Sequence, residues 1–460
     1  MTSIKPKTYR YFADLAYINY RWSNDVVIEV SDGVISLVEV GADSADCRRL
    51  NGPVLPAIAN LHSHAFQYLM AGMAEVSINP ADSFWSWRDL MYKTVSRLTP
   101  DEIQVVATQL YIDMLKAGYT QVGEFQYLFN NTDGRQYQHS TEISAQLIRA
   151  AELSGIGITL LPALYSHSGF GGQTAADGQK RFLNTSESYL EHHQNVAKII
   201  GDHQRHKLGL CFHSLRAVTQ QQMKEVLGSS AGLPIHLHIA EQRKEVYDCI
   251  GWSGQRPVEW LFNNFEVDSN WCLIHATHID NNEQAAIVRS GAVVGLCPTT
   301  EANLGDGIFP ATEFVQQGGK WGIGSDSHVT LSIKDELRAL EYSQRLNDQQ
   351  RNRLRDRAHS SIGDYLYKQA HLGGNQALST EIGLSIGQRA DFLVLDVNHP
   401  FIGSRPKESI LNSWLFASND NIVKDVYVAG ELIVDSFHHP LEEQSQEMFG
   451  NLMKKVFCDA

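Results

Sequence analysis

The sequence predicts an α/β protein, a (β/α)8 TIM barrel carrying a small β-sandwich domain built from both chain ends. Three observations predict it. Eight short apolar segments recur at helix-separated intervals through the middle of the chain. Strand-like alternation is confined to the two ends, and side chains able to ligate or catalyse cluster where the apolar segments stop.

The ends come first. Residues 8–55 alternate, as in Val26-Val27-Ile28-Glu29-Val30, the turn Ser31-Asp32-Gly33, and Val34-Ile35-Ser36-Leu37-Val38. The same texture returns at residues 390–396 and 423–430. A discontinuous β domain from residues 1–55 plus 385–440 is therefore expected, around a barrel of residues 56–384. Residues 441–460 should carry a terminal helix. A chain of 460 residues is long enough for such an arrangement.

In the middle, Thr99-Pro100-Asp101-Glu102 opens a helix with a cap, a first-turn proline and early acids. Ile103, Val106, Leu110 and Met114 form its apolar stripe, and Gly118 ends it. Strands are expected in the run from Val54 toward His62 and at 120–126, 158–165, 208–213, 234–239, 271–275, 292–297 and 321–325. Helices are expected between them, among them 141–153, 186–200 and 219–227. An open doubly wound sheet is the alternative, but no G-x-G-x-x-G follows the first strand. Gly169-Phe170-Gly171-Gly172 lacks the Lys-Ser/Thr of a phosphate loop and reads as a mobile loop over the barrel mouth.

A formal charge of -14 argues against a nucleic-acid or anionic-membrane partner, either of which needs a basic face. Six scattered cysteines form no C-x-x-C pair, and four lie in or beside apolar segments, as in a reducing compartment. The start lacks the apolar core of a signal peptide, and no window approaches about 18 apolar residues. The cytoplasm is the expected location.

In a barrel the chemistry sits at the C-terminal ends of the strands. His62 and His64 follow the first strand here, Tyr127 the second and His213 the fourth. His238 lies on the fifth, His275 on the sixth, and Asp326 after the eighth. Residues i and i+2 of a strand face one side, so His62 and His64 can address a single ion. Alone, an H-x-H is equally well two satisfied polar groups. With His238 and Asp326 it becomes an N3O set suited to zinc, compatible with iron or manganese, and open to a water. Glu241, three residues beyond His238, can lean over the mouth as a proton shuttle. His275 can polarise substrate or nucleophile, although a lone histidine on an apolar strand is commonly a core residue. His192, His193, His203 and His206 lie in polar contexts and read as surface residues, while His278 and His328 lie near the site without a role.

This constellation, His62-x-His64, His238, His275 and Asp326 in a barrel with a two-ended β-sandwich, resembles the amidohydrolase superfamily across almost the whole chain. Many members bridge two metals with a modified lysine at the fourth strand end. Phe212-His213 stands there in this sequence, which implies one metal. The one-metal branch with His-x-x-Glu after the fifth strand is dominated by deaminases. Within it, residues 60–67 (NLHSHAFQ), 82–88 (DSFWSWR), 213–218 (HSLRAV), 297–305 (CPTTEANLG) and 324–328 (GSDSH) resemble the N-formimidoyl-L-glutamate deiminases of bacterial histidine degradation. Cys211-Phe212 ahead of His213 departs from the small residue and proline of that pattern.

The resemblance implies hydrolysis of a small dicarboxylate amidine, N-formimidoyl-L-glutamate, to N-formyl-L-glutamate and ammonia. It implies one divalent ion, with Zn2+ first in order, held by His62, His64, His238 and Asp326. Asp326 and His275 would orient and deprotonate the water, and Glu241 would deliver a proton to the departing nitrogen. Two substrate carboxylates need fixed cations, and Arg88 and Arg216 offer two guanidinium forks. By resemblance Gln67, Tyr127 and His213 complete the substrate contacts, and a homodimer is a common assembly for the architecture. Three competing readings remain: a one-metal deaminase of guanine, triazine or pyrimidine rings, a two-metal ring- or amide-opening hydrolase, and a metal-dependent binding protein without turnover. A neutral ring has no use for two cationic clamps, and pure binding has none for Glu241.

Overall fold

The computed structural model describes residues 7–73, 75, 84–229, 232–355 and 360–458, with the side chains of 84–89 excepted. Eight parallel strands follow one another around a ring: β1 (Ile58–Ser63), β2 (Tyr119–Gln126), β3 (Gly157–Leu164), β4 (Leu210–Ser214), β5 (Ile235–Ile239), β6 (Trp271–His275), β7 (Val293–Leu296) and β8 (Lys320–Ile323). Each pairs with the next in parallel register, from Ile58 opposite Tyr119 to Leu296 opposite Ile323. These strands are almost entirely buried and rich in apolar residues because both faces are covered, one by the barrel interior and the other by helices.

The ring closes between β8 and β1 at the end that carries the polar residues. The N–H groups of Ser325 and Asp326 donate to the His62 carbonyl at 3.2 and 3.0 Å, and His64 N–H donates to the Asp326 carbonyl at 3.4 Å. Gly324 makes that approach feasible, since a Cβ there would lie 2.7 Å from the His62 Cβ. On the outside, the helix Ile362–Ala377 lies flush against β8, and a Cβ at Gly373 would sit 1.8 Å from the Trp321 carbonyl oxygen.

The helix Pro100–Lys116 begins as its sequence demands. Thr99 Oγ1 accepts from Glu102 N–H at 3.3 Å, and Glu102 returns a bond to Thr99 N–H at 2.8 Å. Helices Glu142–Ser154, Ser186–Ile200 and Gln220–Leu227 occupy the other expected segments. The segment expected as one strand at 208–213 is two: His206–Leu208, paired with β3, and β4, whose register against β5 slips between Phe212 and Ser214. That irregularity falls beside Cys211-Phe212, the pair that departs from the pattern the sequence otherwise resembles.

The chain ends form a separate ten-stranded mixed sheet. Its path runs Ile382–Gly383, Arg389–Ala390, Val34–Val40, Arg21–Ser31, Thr8–Ile18, Val54–Pro56, Phe392–Leu395, Val423–Val428, Glu431–Val434, with Arg48–Leu50 beside Thr8–Ile18. The hairpin between Arg21–Ser31 and Val34–Val40 turns at Asp32 and Gly33, both left-handed at φ 49° and 82°, as a twisted two-residue connection requires. Tyr11, Ile28, Val30, Phe392 and Tyr427 anchor a core of its own. The helix Glu442–Phe457 packs on Pro100–Lys116. No helix among the described residues is long and apolar enough to cross a membrane.

Candidate active site at the closing end of the barrel

His62, His64, His238 and Asp326 converge on one point. His238 Nε2 lies 3.0 Å from His62 Nε2 and 3.3 Å from His64 Nε2. Asp326 Oδ1 lies 3.5 and 3.4 Å from the same two nitrogens. The ring tautomers follow from their outer neighbours. His64 Nδ1 donates to the Phe125 carbonyl at 2.9 Å and His238 Nδ1 to the His213 carbonyl at 2.8 Å, so both Nε2 atoms carry lone pairs. Burial holds all three imidazoles neutral, lowering each below its ordinary pKa, and neighbouring rings reinforce this at His62 and His238. Two lone pairs facing across 3.3 Å repel rather than bond. A cation between them removes the conflict. Tetrahedral bonds of about 2.0–2.1 Å give edges of about 3.3–3.4 Å, close to the separations found here. The His/Asp cluster therefore has the chemistry and spacing to hold one metal ion.

Beside this cluster, three carboxyl groups surround His275. His275 Nε2 is 3.7 Å from Glu241 Oε1 and 3.8 Å from Asp326 Oδ2, while its Nδ1 is 3.2 Å from Glu301 Oε1. Burial alone would lower the His275 pKa, but Glu241, Glu301 and Asp326 outweigh it and raise the ring to about 10. Burial raises Glu241 to about 7, against the pull of His275. The backbone that presents them is strained. Ala240, His275, Ala276, Asp326 and His328 all take left-handed φ, between 48° and 68°. Such conformations outside glycine gather where a side chain must be aimed.

Four of the candidate substrate residues, Gln67, Tyr127, His213 and Arg216, line a cleft beside the cluster, together with Met91, Tyr92, Tyr165, Phe182 and Leu304. Gln67 comes from the 3-10 turn Ala65–Met70, and its Nε2 donates to Tyr127 Oη at 2.8 Å. His213 stacks at a tilt on Tyr165, ring centroids 4.4 Å apart. Arg216, just past β4, has no ion-pair partner among the described residues, and its Nε is buried without an acceptor. Arg88 lies on the helix Phe84–Val95, but its side chain falls outside the described residues.

Some expectations need correction. His192, His193 and His206 are buried, not on the surface, and only His203 is exposed. His192 bridges the Ser140 carbonyl at 2.9 Å and Ser144 Oγ at 3.0 Å, and His193 meets the Gly209 carbonyl at 3.2 Å. Each is the tip of a helix side chain tying a neighbouring loop, a role that polar flanking letters conceal. In the Gly169–Gly172 loop, Phe170 is buried and stacks on Trp252, ring centroids 5.5 Å apart. Three site carboxylates went unassigned in the sequence. Glu301 buttresses His275. Glu245 accepts from the N–H groups of Ala240 and Glu241 at 3.2 Å each, and Asp306 accepts from Gln242 Nε2 behind Glu241. Glu301 sits inside the matched string 297–305, which was its one available signal.

The model of the amidohydrolase family matches residues 54–433. Formimidoylglutamate deiminase of Pseudomonas aeruginosa is 55% identical over 448 residues, covering 97% of this chain and 99% of that protein. The crystal structure of an amidohydrolase from Brucella melitensis superposes with a TM-score of 0.94 at 44% identity, covering 98% of this chain and all of that one. An adenosine deaminase from Xanthomonas campestris, with bound zinc, shares the fold at a TM-score of 0.81 and 19% identity, over 98% and 99% of the two chains. Strand order, the gathered His/Asp cluster and a match across most of the sequence lead to one conclusion: the chain belongs to the amidohydrolase family.

Proposed function

We propose that this protein hydrolyses N-formimidoyl-L-glutamate to N-formyl-L-glutamate and ammonia, a step of histidine degradation, using one Zn2+ held by His62, His64, His238 and Asp326. The observation that carries the reading is Arg216. A guanidinium lining the cleft beside the cluster, with no ion-pair partner among the described residues and a buried Nε without acceptor, suits a ligand that brings its own carboxylate. The Pseudomonas aeruginosa relative, similar over nearly its full length, supports the same substrate.

When bound, the ion supplies Lewis acidity and lowers the pKa of a water. The side chains do the rest. Arg216 and Arg88 hold the two carboxylates, with Gln67, Tyr127 and His213 along the substrate. Asp326 and His275 orient the attacking water, and Glu301 fixes His275 through Nδ1. The water oxygen bonds to the formimidoyl carbon. Glu241 takes up one water proton and passes it to the terminal nitrogen as the C=N π pair settles there; the remaining hydroxyl proton follows the same route while the C=O forms, the C–N bond breaks with its electron pair on nitrogen, and ammonia leaves. The raised pKa of Glu241, about 7, suits a group that both accepts and donates near neutrality.

Ammonia release from N-formimidoyl-L-glutamate, with metal content measured on the same sample, tests the proposal. Turnover with about one zinc per chain is expected. Release from guanine or a triazine in preference to the amidine would overturn the substrate. Two ions per chain would overturn the one-metal site.

A further inference from the structure

We propose that Glu124 is a positioning residue of the metal centre, a carboxylate that clamps the strand end carrying His62 and His64 and so sets the affinity of the cage. The β1–β2 register places Glu124 opposite Ser63. Its Oε2 accepts from Ser63 Oγ at 2.7 Å and its Oε1 from Ala65 N–H at 2.7 Å, so the two bonds straddle His64. Ala65 opens the turn Ala65–Met70, and its N–H has no acceptor inside that turn. Glu124 thereby fixes the place where a strand becomes a helical turn, on either side of the proposed ligand His64.

Glu124 is only 2% exposed. Strand pairing does not call for a carboxylate there, and an apolar side chain would fill the space without the desolvation cost. Its partners continue as a chain. Ser63 Oγ lies 3.4 Å from His328 Nε2, His328 Nδ1 lies 2.9 Å from Ser325 Oγ, and Asn60 Nδ2 donates to Ser325 Oγ at 2.6 Å. The hydroxyl-bearing members sit directly beside ligands, Ser63 between His62 and His64 and Ser325 ahead of Asp326. His64 and His238 have carbonyls to orient their rings, whereas His62 Nδ1 has no hydrogen-bond partner among the described residues. His62 is therefore aimed through its backbone, and Glu124 with its network holds that backbone.

The inference rests on the metal assignment above, and its test keeps the two apart. Chelator-competition titration with Zn2+ on the full-length protein gives the stoichiometry of the wild type, which tests the assignment. The ratio of dissociation constants between wild type and variant tests Glu124. Glu124→Gln keeps the shape but replaces one acceptor oxygen by an amide NH2, and is expected to weaken Zn2+ binding by about 10–100-fold. The Co2+-loaded variant should show an altered visible spectrum, while KM for the amidine at saturating metal moves by less than about twofold. Ser63→Ala removes one bond of the two and should weaken binding by about tenfold, so it carries the test if Glu124→Gln does not fold. Zn2+ affinity within about twofold of wild type in a folded variant, with an unchanged Co2+ spectrum, would overturn the proposal.

Discussion

The proposed metal half of the site and the proposed carboxylate half are built on different terms. His62, His64, His238 and Asp326 all sit at strand ends and are buried, and two of the imidazoles are oriented by main-chain carbonyls. Gln67, Tyr127, His213 and Arg216 come mainly from the turns and loops just past the strands. There Gln67 Oε1 and Arg216 Nε are buried without a hydrogen-bond partner among the described residues. Buried polar atoms left unpaired are costly, so they persist where a ligand completes them. One half is assembled in advance, and the other is held short of completion until substrate arrives.

Five experiments frame that contrast. The largest effect belongs to the metal half: removing the ion with a chelator should cut ammonia release by about 10³-fold or more, and added Zn2+ should restore it. Asp326→Ala should remain inactive under the same addition, and recovery there would show that the cage does not need its carboxylate. Next, Glu241→Gln should lower kcat by about 10²–10⁴-fold at unchanged zinc content, since it removes a proton carrier and no ligand. Loss of zinc in that variant would place Glu241 in the cage instead. In the carboxylate half, Arg216→Met should raise KM by about 10–100-fold with metal affinity intact. An unmoved KM would dissolve the distinction drawn above. The smallest effect lies outside both halves. Thr99→Ala breaks a capping box and should cost about 1 kcal/mol of stability, seen as a lower Tm, with kcat/KM unaltered.

The same contrast explains what was legible in the sequence. The barrel showed itself because its strands are short, rich in apolar residues and separated by helices, and the metal set because histidine and aspartate end those strands. The hairpin at Asp32-Gly33 and the cap at Thr99 were readable because their signals are local. Partnerships between distant strands were not. Glu124 reads as an unremarkable acid within a strand, since its donors, Ser63 and Ala65, lie 61 and 59 residues away. His192 and His193 look like helix-surface residues until the loops they tie are in place. The slip in β4 arises from pairing with β5, which no single strand can announce. Strand-end position marked Tyr127 and His213, but resemblance alone gave them, and Gln67, a substrate role, and the cleft gathers all three.

The closing contact of the barrel carries one more consequence. Its first and last strands meet through residues such as Asn60 and Ser325, which stand 265 positions apart in the chain. The proposed ion bonds to both sides of that junction, to His62 and His64 on one and to Asp326 on the other. It would then work as a rivet as well as a catalyst, fastening the longest loop in the barrel at the point where closure costs the most chain entropy. Hydrogen exchange at the amides of Ser325 and Asp326 would register it, slowing when the rivet is in place.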